Sequence, residues 1–130
     1  SEENKKIGSQ ILNLAEYVSF LINDIIIYSN ESEIKILTSN ESVDFENIVI
    51  FCYDVANSLS NMYSGSDNRV IKYYFDDNVK NYLVESDTAR IKQVMLNLIS
   101  NACKFTKKGI ITISCFLNDE NEINLEVKDT

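Results

Sequence analysis

The chain has 130 residues, 45% of them hydrophobic, which is enough for one folded domain with a modest core. Its formal net charge of −8 and its lack of a basic cluster argue against a nucleic-acid partner. Three cysteines without metal-ligand spacing, in a chain without histidine, predict neither a zinc site nor a disulfide framework and favour a reducing compartment. No apolar run approaches the roughly 18 residues that span a bilayer, so we expect this chain to make no membrane contact.

Residues 5–30 lack proline and predict one long helix whose apolar residues alternate four and three apart. That spacing is the heptad seam of a coiled coil or a bundle. The seam residues are Ile7, Ile11, Leu14, Val18, Leu21, Ile25 and Tyr28. Further apolar side chains broaden the stripe and favour a four-helix bundle. The alternative is a helix buried on its own domain.

Residues 31–44 are polar and acidic and predict a linker with a short edge strand at 34–38. Asp44 is placed to cap a helix over 45–63. The predicted inner face of that helix contains Ile48, Cys52, Val55, Ala56 and Leu59. Serine, glycine, aspartate and asparagine at 64–68 then predict a loop.

Residues 70–75 predict a strand, followed by a turn at 76–78 and a short strand at 82–84. Because adjacent side chains on a strand point to opposite faces, Asp76 and Asp77 favour a solvated turn over a catalytic carboxylate pair. Further along, residues 110–117 and 122–127 predict an antiparallel hairpin around a turn. The inward residues of its second strand are Ile123, Leu125 and Val127.

The run from Asp87 to Gly109 predicts a helix that Asp87 caps and that Gly109 stops shortly after its last turn. At about 100° per residue, its polar side chains fall within one arc roughly 80° wide. This polar arc contains Arg90, Gln93, Asn97, Asn101 and Lys104. The predicted core face contains Ile91, Met95, Leu98, Ile99 and Ala102. Leu96 and Cys103 fit neither face and predict contact with a second packing surface.

A polar arc is often only the solvated side of a helix, and geometry alone leaves that interpretation open. A solvated face usually carries Lys and Glu pairs four residues apart, whereas this arc has two amides, at Asn97 and Asn101, followed by Lys104. Amide oxygens suit Mg²⁺, which shares its coordination shell with waters and phosphates. An ammonium group supplies a point charge for a phosphoryl oxygen.

Residues 87–109, D-T-A-R-I-K-Q-V-M-L-N-L-I-S-N-A-C-K-F-T-K-K-G, resemble the N box of sensor histidine kinases, which opens their Bergerat-type ATP-binding domain. The resemblance implies that Asn101 is a magnesium ligand and that Lys104 contacts phosphate. It also implies that Asn97 lies beside the phosphates and that Phe105 packs near the nucleotide. ATP and Mg²⁺ are therefore the expected cofactors.

Other segments resemble the same family. Residues 21–33 resemble the end of its second dimerisation helix, and the final V-K-D-T resembles the strand that leads to the adenine pocket. The latter implies that Asp129 accepts a hydrogen bond from the amino group of the base. The implied domains are residues 1–33, the second helix of a dimerisation and phosphotransfer domain, and residues 34–130, the first part of the ATP-binding domain. The implied fold class is α/β (α+β), with a long bundle-forming helix followed by a partial two-layer α/β sandwich.

By this resemblance, the parent protein is an ATP-dependent histidine kinase of two-component or phosphorelay signalling, with Asn97 and Lys104 in catalytic positions. Related ATPases such as gyrase carry a Glu at the position of Asn97, where it activates water. An amide has no usable proton-accepting pKa, so Asn97 favours a kinase over a hydrolase. The alternative from another class is a non-catalytic dimerisation or interaction module of a degenerate kinase.

The expected partners are a second copy, bound through the N-terminal helix, and a response regulator or receiver domain. The expected location is the cytoplasm, and membrane anchoring of the parent protein stays open. The phosphoaccepting His and the later glycine-rich segments of the family are expected outside these residues. We therefore expect the 130-residue chain neither to phosphorylate itself nor to bind ATP more tightly than about 1 mM, with a frayed strand around Asp129.

Overall fold

The described residues, 1–29, 40–62 and 68–130, form three α-helices, five β-strands and a short 3-10 helix in a computed structural model. Within the first helix, side chains are described as far as residue 22. The elements in chain order are α1 Glu2–Ser29, β1 Glu41–Ser42, α2 Phe45–Met62, β2 Arg69–Phe75, the 3-10 helix Asp77–Asn81, β3 Glu85–Ser86, α3 Thr88–Phe105, β4 Gly109–Leu117 and β5 Ile123–Asp129. This mixture of helix and sheet confirms the predicted α+β class.

The main sheet has the strand order β2-β4-β5. The central strand β4 pairs in parallel with β2, where Arg69 lies opposite Gly109, and antiparallel with β5, where Ile111 lies opposite Asp129. β1 and β3 form a separate antiparallel pair. The parallel pairing of β2 and β4 requires a crossover connection, and α3 lies within it.

The core lies between the main sheet and two helices, α2 and α3. α2 supplies all five residues of its predicted inner face, and the sheet supplies alternate residues of β4, namely Ile111, Ile113 and Cys115. Asp44 caps α2 as predicted, because its Oδ1 accepts from the backbone N–H of Asn47 at 3.1 Å. Burying this apolar surface is the main stabilising term for the sandwich.

α1 packs against α2 through a limited part of its surface, where Tyr17 and Phe20 are partly buried against the core. Its heptad seam lies elsewhere, with Ile7, Val18 and Leu21 between 40% and 50% exposed and Ile11 62% exposed. These four seam residues are therefore not buried on the chain's own domain, contrary to the alternative interpretation of α1. No helix among the described residues is long and apolar enough to cross a membrane.

One predicted strand is wrong. The strand expected at 82–84 is displaced to Glu85–Ser86, because the N–H of Tyr82 caps the preceding 3-10 helix by donating to the Val79 carbonyl at 3.1 Å. Asp76 begins that 3-10 helix, since its Oδ1 accepts from the N–H of Asn78 at 2.9 Å. The edge strand expected at 34–38 and the domain boundary at residue 33 lie outside the described residues, as does most of the loop expected at 64–68.

α3 differs from its predicted form in two respects. It ends at Phe105, where Thr106 caps it by donating its N–H to the Ala102 carbonyl at 2.9 Å, so Gly109 begins β4 and does not stop the helix. Leu98, predicted as core, is 47% exposed, whereas Leu96 and Cys103 are fully buried. α3 contacts both α2 and β5. Its buried face is therefore rotated away from Leu98 toward Leu96 and Cys103, which were predicted to contact a second packing surface.

Candidate functional site

The polar arc of α3 is open along its C-terminal half. The helix begins as predicted, with Asp87 Oδ1 accepting from the N–H of Arg90 at 3.2 Å. The next turn is internally bonded, because Arg90 Nη1 donates to Gln93 Oε1 at 3.2 Å. Asn97 and Asn101 are exposed, and neither amide side chain has a hydrogen-bond partner among residues 1–29, 40–62 and 68–130. These two amides are therefore available to a ligand.

The last turn of α3 adds a cation and an aromatic ring to the same region. Lys104 is exposed, and its Nζ lies 5.4 Å from the centroid of the Phe105 ring. Phe105 is 72% exposed, so its ring is accessible to a ligand. The ring offers a flat apolar surface beside an ammonium group, which suits a ligand with a planar ring and an anionic group.

Asp129 lies at the same end of α3. It is the last of the alternate β5 residues that face the core, and it pairs with Ile111, which is fully buried. Its Oδ2 accepts a hydrogen bond of 2.9 Å from Oγ1 of Thr106, the buried residue that caps α3. The fold thus brings Asp129 to the helix end that carries Lys104 and Phe105.

The end of β5 is held firmly, contrary to the expected fraying. The N–H of Thr130 donates to the Ile110 carbonyl at 3.2 Å, and Thr130 Oγ1 accepts from the N–H of Ile110 at 3.0 Å. Gly109 has φ +125°, and a Cβ there would meet Thr130 Oγ1. Glycine suits this position because other residues rarely adopt this φ, and a side chain would also displace the Thr130 hydroxyl that bonds Ile110.

An apolar groove of about 300 Å³ lies between α3 and β5, next to the polar arc. Val94 and Leu98 are exposed within it, at 61% and 47%. The groove is lined by Arg90, Ile91, Val94, Met95, Leu98 and Leu125. The outer surface of α3 therefore carries a polar arc and an apolar stripe side by side.

The residues of the arc fit a magnesium–nucleotide better than a bare metal ion. In the described part of the chain, no group of three or more His, Cys, Asp or Glu residues is arranged to hold a metal. The amide oxygen of Asn101 is a hard ligand, but one neutral oxygen leaves most of the Mg²⁺ shell to phosphates and water. Lys104, one turn further, carries the positive charge that a polyphosphate needs.

Arg69 supports this end of α3 and was missed by sequence reasoning. It is buried at the start of β2, and its guanidinium donates to the Cys103 carbonyl and, at 2.8 Å, to the Ser60 carbonyl. These carbonyls belong to the last turns of α3 and α2, which lack intrahelical partners. The sequence signal that could have identified Arg69 is a charged residue at the start of the strand pattern, directly after a loop.

The three cysteines lie in the core and are free thiols. Burial raises the pKa of Cys52 to about 12, although the charge of Lys92 opposes the shift. Burial and the nearby Asp76 carboxylate raise the pKa of Cys115 to about 11, and burial also raises the pKa of Cys103. All three remain protonated at neutral pH, so none is a candidate nucleophile.

Several known proteins are similar to this chain in sequence. No family model matches the chain. It is 33% identical over 124 residues to hybrid signal transduction histidine kinase L of Dictyostelium discoideum, covering 92% of this chain and 7% of that protein. It is 29% identical over 135 residues to the autoinducer 2 sensor kinase/phosphatase LuxQ of Vibrio vulnificus, covering 98% of this chain and 15% of that protein. The chain thus spans a small part of these relatives.

A solved structure, the Acinetobacter baumannii histidine kinase AdeS, has a similar fold. The TM-score is 0.61 at 23% identity, and the match covers 91% of this chain and 55% of that chain. The sequence matches and the structural match each cover more than nine tenths of this chain. The resemblance predicted from α3 is therefore confirmed, and the chain is a relative of the sensor histidine kinases.

Proposed function

We propose that this chain is the part of a histidine kinase that receives ATP and Mg²⁺ on the outer face of α3, for transfer of the γ-phosphoryl group to a histidine. The observation that carries the proposal is the pair of exposed amides, Asn97 and Asn101, which have no hydrogen-bond partner in the described part of the chain. Two amides four residues apart, followed by an exposed Lys in place of the Lys and Glu pairs of a solvated face, favour a surface that binds Mg²⁺ and phosphate.

Each residue of the site has a distinct role in this proposal. Asn101 would hold Mg²⁺ together with the phosphates, and Lys104 would contact a phosphoryl oxygen. Phe105 would pack against the nucleotide, and Asp129 would accept from the amino group of adenine. Bound magnesium would supply charge neutralisation, and the chain itself would supply position, which is the main protein contribution to phosphoryl transfer.

Asn97 would line the phosphate site without activating water. Its amide has no proton-accepting group that titrates near neutral pH, so it cannot act as a general base. A kinase benefits from this property, because the phosphoryl group is kept for a protein side chain. The same residue argues against a hydrolase.

A second candidate function is a non-catalytic dimerisation or interaction module. The exposed seam of α1 favours it, because Ile11 and Val18 present apolar surface to solvent. In the kinase proposal the same seam joins two copies, and a response regulator or receiver domain accepts the phosphoryl group. The free thiols suit a reducing compartment, and we propose the cytoplasm as the location.

Substitution of Asn101 tests the kinase proposal. In a protein that carries this chain together with a phosphoaccepting histidine, we expect Asn101→Ala to abolish Mg²⁺-dependent ATP binding and autophosphorylation together. Asn97→Ala should reduce phosphoryl transfer more than ATP binding. The measurements are calorimetric titration with Mg-ATP and transfer of labelled phosphate.

Asn4→Ala is the matched control, because it removes another exposed amide from a helix, at the far end of α1. It should leave both measurements unchanged. Wild-type autophosphorylation in Asn101→Ala would show that Asn101 is not the metal ligand. A wild-type protein that self-associates but neither binds ATP nor becomes phosphorylated would favour the interaction module.

A further inference from the structure

The hydroxyl of Thr106 joins two parts of the proposed site that are 23 residues apart in sequence. Its backbone N–H donates to the Ala102 carbonyl and thereby ends α3. Its side-chain Oγ1 donates to Asp129 Oδ2 at 2.9 Å. One residue therefore fixes both the end of the helix and one oxygen of the carboxylate.

The two partners differ in exposure. Thr106 is 6% exposed, whereas Asp129 is exposed. A buried donor has few alternative conformations, so it can restrain the exposed carboxylate. A carboxylate has about four lone-pair positions on its two oxygens, so a bond to Oδ2 leaves Oδ1 free to accept from a ligand.

The main chain on either side of this bond is also fixed. Asp129 is paired with Ile111 in the sheet, and Thr130 is bonded to Ile110 through both its N–H and its hydroxyl. The rotation of the Asp129 side chain is the freedom that remains, and the Thr106 hydroxyl restricts it. Neither Thr106 nor this bond was assigned a role from the sequence.

We infer that Thr106 is a positioning residue that orients the Asp129 carboxylate toward a base carrying an exocyclic amino group, and so contributes to the choice of adenine. The inference rests on the proposed function, because it takes Asp129 as the residue that contacts the base. Thr106 itself does not touch the nucleotide. It acts by holding Oδ2, so that Oδ1 faces the ligand.

The experiment compares ATP with inosine triphosphate, whose ring has a carbonyl oxygen in place of the amino group. The 130-residue chain is titrated with the magnesium complex of each nucleotide to tens of millimolar, and dissociation constants are obtained from NMR shifts. A hydrogen bond to a charged acceptor predicts that the wild type prefers ATP by about tenfold or more. We expect Thr106→Val to reduce this preference to about threefold or less, and Thr106→Ser to retain it.

Two controls separate positioning from structural damage. Magnesium tripolyphosphate has no base, so its dissociation constant should be equal in the wild type and Thr106→Val. Thr112→Val makes the same substitution on β4, in register with Lys128 and on the opposite face of the sheet from Asp129, and it should leave the preference unchanged. If Thr106→Val fails to fold, Thr106→Ala removes the same hydroxyl with less bulk and replaces it in the comparison.

The outcomes distinguish this inference from the proposed function. If the wild type prefers ATP and Thr106→Val keeps the full preference, the role of Thr106 is overturned while the proposed function stands. If the wild type shows no preference for ATP, Asp129 does not read adenine, so the inference and the role of Asp129 in the proposed function are both overturned. Loss of the preference in Thr106→Ser would also overturn the inference, since the hydroxyl is present there.

Discussion

The first two helices, α1 and α2, use their apolar residues in opposite ways. α2 has 18 residues and buries eight of them in the core, whereas none of the first 22 residues of the chain is buried. Both helices carry large aliphatic and aromatic side chains. The difference is that α2 lies between the sheet and its neighbouring helices, while α1 contacts α2 along one side only. Apolar content alone therefore does not show which helix builds the core.

Two polar contacts add to the packing of Tyr17 and Phe20 in holding α1 against the rest of the chain. Asn13 Nδ2 donates to Asp54 Oδ2 at 3.0 Å, and Lys92 Nζ lies 3.2 Å from Glu16 Oε1. Partial burial raises the pKa of the Asp54 carboxyl, with the nearby Lys6 charge and the Asn13 bond opposing the shift. Polar contacts of this kind contribute little net free energy, so we infer that α1 is docked more weakly than α2 is packed.

Matched leucine substitutions should give the largest effect. Leu96 on α3 is 1% exposed and Leu12 on α1 is 71% exposed. We expect Leu96→Ala to lower the free energy of unfolding by about 2–5 kcal/mol, because it leaves a cavity in the core. Leu12→Ala should change it by about 0.5 kcal/mol or less. Urea denaturation followed by circular dichroism measures both, and equal losses would contradict the contrast between the two regions.

The exposed seam of α1 should matter for association and not for folding. Val18 is 50% exposed on the seam, and Ser19 is an exposed polar residue one position further along. We expect Val18→Glu to weaken self-association by roughly tenfold or more, because it buries a charge in an apolar contact. Ser19→Glu adds the same charge about 100° away around the helix and should have little effect. Sedimentation equilibrium measures the association, and a wild type that stays monomeric at tens of micromolar would contradict the prediction.

Much of the fold was predictable because local patterns and tertiary packing agree. The heptad spacing predicted α1. Asp44 and Asp87 predicted the starts of two further helices, and the alternation of apolar and polar residues predicted the hairpin of β4 and β5. Tertiary contacts decided the exceptions. Leu98 lies at the apolar edge of α3, where it lines the open groove beside Leu125 and stays 47% exposed, so angular position alone misassigned it.

The sequence identified individual residues of the candidate site but not the contacts between them. The motif identified Asn97, Asn101 and Lys104, whose exposure the structure adds. The alternation of core-facing residues along β5 extends to Asp129, so this pattern alone could have predicted which face of the sheet carries Asp129. The bond from Thr106 to Asp129 joins residues far apart in sequence and depends on the register of β4 and β5, which local patterns do not encode.

The ion pair between Lys92 and Glu16 should give the smallest effect, and it tests directly how α1 is docked. The Lys92 side chain is 14% exposed and that of Glu16 is 42% exposed, and Lys92 Nζ also lies 4.4 Å from the centroid of the Phe51 ring. In a double-mutant cycle of Lys92→Gln and Glu16→Gln, we expect a coupling free energy of about 0.2–1 kcal/mol that decreases as salt is added. Lys92→Gln alone should cost more than Glu16→Gln alone, because it also removes the charge over the aromatic ring.

The pair of Lys80 and Glu46 provides the control cycle for this measurement. It joins the 3-10 helix to α2 at 3.4 Å without involving α1, and its side chains are 54% and 42% exposed. Exposed pairs contribute little, so its coupling should lie at the low end of the same range. Urea denaturation of the wild type, the four single variants and the two double variants gives both couplings. If the Lys92 pair couples no more strongly than the Lys80 pair, the ion pair does not hold α1, and the docking depends on Tyr17 and Phe20 instead.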